Sequence, residues 1–439
     1  MASEKITRRT VLGARNHSTK GPSATVTDIS AENVKNGGKQ GTSVRVIREL
    51  KELEQYVPAW EDLARAAIEP NAFYEPWMLL PAIKAFGEGR QVFFLLVETV
   101  DPARPLGPPL LSAVFPLEVN SKFNGLGKSL PFRTLSFWKH ERCYLCTPLL
   151  RSRYARESLT AFFEWVGTEA HGCSLLELDF IAGDGPVYHL LIDYINEFRK
   201  LNYVTNFTRA FFRQAADPAT YLRDAISGVR RKEMKRLERR LAETGRLEYL
   251  MLNQESDVAA WIDEFLRVEA TGWKGQAGRA TASNELEREF FVTVATEAFR
   301  RGQLMMLSLH YDGRSIAHKC NFLAGDGSFA YKIAFDEQYA RYSPGVLLEV
   351  ENINRLHERA ETHWMDSCAD PDRFMINQLW PARRTISTVL IGTGKAPGDL
   401  VVAAIPMLRW FIRKLVWLRR NLVRVTSIGR NQNLPGVQS

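Results

Sequence analysis

The 439-residue sequence predicts an α/β protein built from two similar units in tandem, each a mixed, mostly antiparallel sheet flanked by helices. Three observations lead there. The chain is longer than one hydrophobic core usually serves. Strand-like and helix-like patterns interleave along it. The order of elements that begins near Val44 begins again near residue 246. Hydrophobic residues at 45% and charged residues at 25% are ordinary globular values and exclude a chain disordered throughout.

Residues 1–43, rich in Ser, Thr, Gly, Asn and Lys and without an aromatic residue, cannot bury enough surface to order themselves. Arg8 and Arg9 suggest an export signal, but no apolar stretch follows them, so the segment is read as a polar lead-in. The first unit, 44–215, opens with a strand over 43–47 and helical segments over 50–67 and 76–87. Strands follow over 91–99 and 110–119, joined by a proline-rich loop. Next come a short strand near 132–138, a helix over about 153–170, a strand over 174–180, a helix from Pro186 and a strand over 203–212.

Residues 216–245 connect the units, and 221–243 read as one charged helix with Ile226, Met234, Leu237 and Leu241 on a stripe. Its eight Lys/Arg and four Asp/Glu suit a solvated face laced by pairs one turn apart. The second unit, 246–385, repeats the order. A strand near 247–252 precedes helices over 256–271 and 284–301 and strands over 303–311, 315–324 and 328–335. A helix over 344–360 and a strand over 362–366 close it. Asp312-Gly313 and Asp326-Gly327 are hairpin turn signals. Residues 386–439 form a basic tail.

The formal net charge of +8 is concentrated at the two ends: residues 383–439 alone hold ten Lys/Arg against Asp399, while residues 44–382 are mildly acidic. That pattern describes surface association by the termini and argues against a nucleic-acid-binding body, unless tRNA is a substrate. Five cysteines, an odd number in a long chain, fit a reducing compartment, read as the cytoplasm. His140, Cys143 and Cys146 form H-x2-C-x2-C but lack a fourth ligand at partner spacing, so no metal is expected.

The segment AYKIAFDEQYARYSPGVLLEVENINRLHERAETHWMDS, with the upstream VRRKEMKRLERRL and ATGWKG, resembles the GNAT-type acetyltransferase domain of CelD-like proteins associated with cellulose and exopolysaccharide biosynthesis. Fem-type aminoacyl transferases are related in kind. The resemblance implies tandem GNAT-like (acyl-CoA N-acyltransferase) domains, with acetyl-CoA or another acyl-CoA as co-substrate in the second. Its turn suits a pyrophosphate: Ser343 as helix cap, Pro344 at the first turn, Gly345 for close approach and Arg341 for charge. Tyr342 and Val346 flank these residues, and Lys332, Ile333 and Phe335 lie on the strand expected to pair with the pantetheine arm.

Transfer to an amine needs a proton acceptor and a proton donor. The candidates are Glu269, Asp366, His318 and Tyr331, with Glu269 and Asp366 ranked before His318, which alternation sets opposite Ala317 and Lys319. Trp273 and Lys274 are candidates for contact with a sugar ring or an acidic acceptor, with packing and solvation the alternative roles. In the tail, 407–425 directly after Pro406 places Arg409, Arg413, Arg420 and Arg424 opposite Leu408, Phe411, Leu415, Leu418 and Leu422. That suits a helix lying on an anionic membrane, or one docked on the body.

The expected activity is therefore transfer of an acyl group from acyl-CoA to an amine or hydroxyl of a polysaccharide or cell-envelope precursor, at the inner face of the membrane. Fem-like transfer from aminoacyl-tRNA and a non-catalytic scaffold of a polysaccharide synthase are the alternatives.

Overall fold

The structure, a computed structural model, describes residues 41–430 except 104, 122–130, 170–171, 273–277 and 279. The chain begins β1 (Thr42–Ile47), α1 (Leu50–Glu54), α2 (Val57–Arg65), α3 (Pro76–Phe86), β2 (Val92–Thr99), β3 (Leu110–Asn120), β4 (Thr134–Phe137) and β5 (Leu149–Leu150). It continues α4 (Ala155–Glu169), β6 (Leu175–Ala182), α5 (Pro186–Glu197), β7 (Asn202–Arg213), α6 (Pro218–Ala225), α7 (Gly228–Ala242) and β8 (Leu247–Met251). Then come α8 (Val258–Thr271), α9 (Glu285–Arg300), β9 (Leu304–Tyr311), β10 (Arg314–Ala324), β11 (Gly327–Phe335) and α10 (Pro344–Glu358). The described chain ends β12 (Trp364–Asp366), α11 (Phe374–Leu379), β13 (Ala382–Gly392) and α12 (Gly398–Arg430).

All the strands join one sheet in the order β1-β2-β3-β4-β6-β13-β7-β12-β11-β10-β9-β8, with β5 beside β3. Each half is a run of four antiparallel strands followed by one parallel pairing, β4 with β6 and β11 with β12. Between the halves β7 and β13 run antiparallel from Ala382 opposite Phe211 to Ile391 opposite Asn202. The two central strands are exchanged: β7, from the first half of the chain, pairs with β12, while β13, from its end, pairs with β6. The fold is thus an α/β arrangement of two similar halves on one mixed sheet.

In the second half the sheet separates two cores. Phe265, Phe290 and Phe291 of α8 and α9 pack on one face with Phe73 and Phe322. Leu347, Leu348, Ile353 and Leu356 of α10 pack on the other with Met234 and Leu241 of α7.

Four sequence expectations are corrected. Residues 221–243 are not one helix: Ile226 is extended, and Ser227 accepts the Arg230 N–H to start α7. Arg231 folds back onto the carbonyls of Leu222 (3.2 Å) and Arg223 (2.7 Å), satisfying the end of α6. The tail does not begin at 386, because 382–392 is the central strand β13. The tail helix starts at Gly398 and runs through Pro406. The second hairpin turn is Gly325-Asp326, since Ala324 pairs with Gly327, and the positive φ of 51° falls on Gly325.

Candidate active site

Parallel pairing of β11 with β12 ends at Phe329 opposite Asp366. Beyond that point the two chain segments diverge. A cavity of about 620 Å³ opens between Ala330–Ile333 and Phe335 on one side and Ser367–Ala369 and Asp372–Ile376 on the other. On the far edge of β11, Ala330 and Lys332 face Asn321 and Cys320, successive residues of β10, so Tyr331 is a bulge residue. Tyr331 therefore has no register partner in either neighbouring strand.

The Tyr331 side chain sits in a ring of aromatics. Phe322, Tyr144, Phe291 and Phe73 have ring centres 4.9, 5.9, 6.2 and 6.4 Å away. Its hydroxyl is buried with no hydrogen-bond partner among the described residues, and burial pushes its pKa well above the usual range. It therefore keeps its proton at neutral pH.

The turn after β11 forms as expected in outline, with one correction. Ser343 does not cap α10 through its side chain. It takes a left-handed conformation, φ 52° and ψ 51°, and its carbonyl accepts the N–H groups of Val346 (2.9 Å) and Leu347 (3.1 Å). Pro344 starts the helix and Gly345 is buried behind it. A Cβ on Gly345 would lie 3.3 Å from Phe335 Cδ1 and 3.8 Å from Ile333 Cδ1, so the helix start rests directly on the cavity wall. Arg341 is exposed, its guanidinium 4.7 Å above the Tyr342 ring, and Val346 packs into the core below α10. Of the residues expected on the donor strand, Lys332, Ile333 and Phe335 all line the cavity.

The other acid–base candidates fall elsewhere. Glu269 is buried; its Oε2 accepts the Thr281 N–H at 2.9 Å and its Oε1 lies 3.3 Å from Lys332 Nζ, which also donates to Thr281 Oγ1 at 2.8 Å. Its carboxylate positions Lys332 and the loop before α9, and does not line the cavity. Asp366 is fully buried, with Oδ1 2.6 Å from Arg209 Nε and Oδ2 3.1 Å from Arg384 Nη1; the Cys368 N–H donates to it at 2.9 Å. Although burial opposes ionisation, these partners hold the carboxyl below its usual range. Arg384 continues to Glu69 at 2.9 Å, so the chain of charges ties β7, β12 and β13 together at the exchange point.

His318 faces α8, between the rings of Trp261 and Phe265, 3.6 Å from Glu264 Oε2, with its pKa lowered by burial. It too is absent from the cavity wall. Trp273 and Lys274 lie outside the described residues.

Sequence reasoning missed Arg142, Tyr144, Lys319 and Glu349, which all line the cavity. Lys319 Nζ and Glu349 Oε2 form a buried pair at 2.7 Å, and Asn352 Nδ2 donates to Glu349 Oε1 at 2.9 Å. Arg142 Nε donates to Glu287 Oε2 at 3.0 Å. Arg142 and Tyr144 arrive from the first half of the chain, a contribution no local pattern announces. The same segment fills the first half's own opening: beyond the β4–β6 pairing, Cys146 N–H donates to Phe180 O at 2.9 Å and Ala182 N–H to Thr147 Oγ1 at 3.1 Å. Cys143 and Cys146 lie 3.8 Å apart at sulfur, and His140 stacks on Phe86. Among the described residues no group of three or more His, Cys, Asp or Glu is placed to hold a metal.

Residues 228–374 match the acetyltransferase (GNAT) domain family. No curated protein matches the sequence. The structure is similar to a conserved protein of unknown function from Bacteroides thetaiotaomicron (10% identity, TM-score 0.48, covering 76% of this chain and 97% of that one). It is also similar to FemX (8%, TM-score 0.48, 76% and 95%) and to a tandem GNAT protein from the clavulanic acid biosynthesis pathway (12%, TM-score 0.40, 81% and 100%). At these identities and scores none of the three bears on substrate. The family match covers most of the residues that line the cavity, and the protein is accordingly an acyltransferase enzyme with a GNAT domain in the second half of its chain.

Proposed function

We propose that the protein transfers an acetyl or related acyl group from acyl-CoA to an amine or hydroxyl of a polysaccharide or cell-envelope precursor. The observation that carries the donor side is the opening between β11 and β12, with the bulge at Tyr331 on its wall and the start of α10 behind it. The acceptor class rests on the CelD-like resemblance of residues 331–366.

The residues fit such a donor. Pro344 has no N–H, and the Val346 N–H is used within the turn, so Gly345 is the first helix residue whose amide is left to meet a phosphate. Arg341, exposed just before the start of α10, supplies charge for the phosphates. The backbone of Ala330–Phe335, released from β12, pairs with the extended pantetheine arm. The N–H of Tyr331, the bulge residue, polarises the thioester carbonyl where charge develops. The acyl-CoA thioester supplies the activated carbonyl.

In the transfer the acceptor nitrogen or oxygen bonds to that carbonyl carbon and the carbon–sulfur bond breaks. Tyr331 Oη gives its proton to the leaving sulfur, and Glu349 takes the proton lost by the acceptor, its charge balanced by Lys319. Glu269 keeps Lys332 in place on the cavity wall. Arg142 and Tyr144 close the site from the first half, whose own opening is filled. We assign the halves as 44–215 and 246–392, joined by 216–245, the second ending with β13.

Calorimetric titration of the protein with acetyl-CoA, with CoA and aminoacyl-tRNA as comparisons, tests the donor. Saturable binding of acetyl-CoA and CoA is expected; a folded protein that binds neither would overturn the proposal.

A further inference from the structure

Among the described side chains, those that anchor helix α12 lie near its beginning. Val402 and Ile405 are each 2% exposed and pack on Leu175 and Leu390. Arg409 Nη1 donates to Tyr203 Oη at 2.8 Å. Past that anchor Trp410 and Phe411 are each 51% exposed and Trp417 61%. Residues 407–430 hold seven Lys/Arg and no Asp/Glu. In the sequence, helical spacing of 100° per residue sets Arg409, Arg413, Arg420 and Arg424 on an arc of about 60°, and Leu408, Phe411, Leu415, Leu418 and Leu422 on an opposite arc of about 80°. No helix among the described residues is long and apolar enough to cross a membrane.

We propose that α12 beyond Arg409 is a docking surface for an anionic lipid bilayer, lying in its headgroup layer with the leucine face inward. The occupant must satisfy both arcs at once. A second copy of this helix would cover the leucines but leave the arginine arcs of both copies facing outward with no counter-charge. A nucleic acid would neutralise the arginines and leave the leucines, Trp410 and Trp417 in water. A bilayer with anionic headgroups takes the apolar face, the cations and the tryptophans together. The anchor at Val402, Ile405 and Arg409 sets the angle at which the helix leaves the body.

The test is co-sedimentation of the full chain with vesicles of phosphatidylcholine alone and of phosphatidylcholine with phosphatidylglycerol, at low and high salt. Binding to the anionic vesicles, weakened at least about tenfold by high salt, is expected. Arg413→Glu with Lys414→Glu weakens it about 100-fold, because two attractions become repulsions. Phe411→Ser with Trp417→Ser weakens it about tenfold or more. All four positions are exposed, so thermal unfolding and acetyl-CoA affinity stay unchanged and report on the donor site separately. Equal binding to neutral vesicles, no vesicle binding, or unchanged binding by both variants would overturn the proposal. So would a dimer in light scattering, or a labelled RNA complex, that these variants abolish in place of vesicle binding.

Discussion

Gly345→Trp is the sharpest probe of the donor site, because the crowding it causes can be read from the structure. The Cβ alone meets Phe335 Cδ1 at 3.3 Å and Ile333 Cδ1 at 3.8 Å, and both side chains line the cavity. An indole has no room toward α10 and drives these two side chains into the space for the pantetheine arm. Overpacking of this kind costs about 1–3 kcal/mol of stability, which a protein of this size tolerates. The larger effect falls on binding. Displacing the Gly345 and Tyr331 amides from pyrophosphate and carbonyl removes two hydrogen bonds, the first to a charged group, together worth about 2–4 kcal/mol. Acetyl-CoA affinity therefore falls about 100-fold or more. Gly345→Ala is the control: helix propensity favours it by up to about 1 kcal/mol and one tight methyl opposes it, so unfolding temperature barely moves. The assay is calorimetric titration beside thermal unfolding. A folded Trp variant that binds acetyl-CoA within about threefold of the parent would refute the cavity as the donor site.

Tyr331→Phe is expected to lower turnover about 100-fold with acetyl-CoA affinity unchanged, and to leave stability equal or higher because the lost hydroxyl had no partner. The double variant Lys319→Met with Glu349→Leu is expected to fold and bind acetyl-CoA but not turn over; full activity would remove Glu349 from the reaction. Asp366→Asn leaves Arg209 and Arg384 facing a neutral group and is expected to cost about 3–5 kcal/mol in urea unfolding at neutral pH. Loss of activity with unchanged stability would instead give Asp366 a chemical role. Glu75, buried beside Trp77 Nε1 (2.7 Å) and Gln303 Nε2 (2.9 Å), is pushed by burial up to about 7. The unfolded chain releases that proton near 4.5, so this group removes stability as pH rises from about 4.5 to 7. Glu75→Gln should match the parent near pH 4 and exceed it by about 2–3 kcal/mol at pH 8 in denaturant titrations; equal pH profiles would contradict the assignment.

The residues that sequence and structure agree on share a property: their signal is local. The strands over 92–99 and 304–335 carry their own hydrophobic run and turn residues, and the turn Ser343-Pro344-Gly345 lies within one short segment. Lys332, Ile333, Phe335 and Tyr331 follow from the strand that precedes that turn, and all four line the cavity. Glu269, Asp366 and His318 have the residue types acid–base chemistry needs, but their partners Lys332, Arg209, Arg384 and Glu264 are set by packing across the sheet, which periodicity does not report.

What the sequence by itself determined was an α/β chain of two repeating halves with the Ser343-Pro344-Gly345 turn in the second, because side-chain period and turn chemistry are properties of neighbouring residues. Only the tertiary structure decided that 382–392 leaves the tail to become a central strand, since its partners β6 and β7 lie far back in the chain and its pairing is a matter of backbone hydrogen bonds. The same long-range closure brings Arg142 and Tyr144 to the second half's cavity and seals the first half's opening with the segment that carries them.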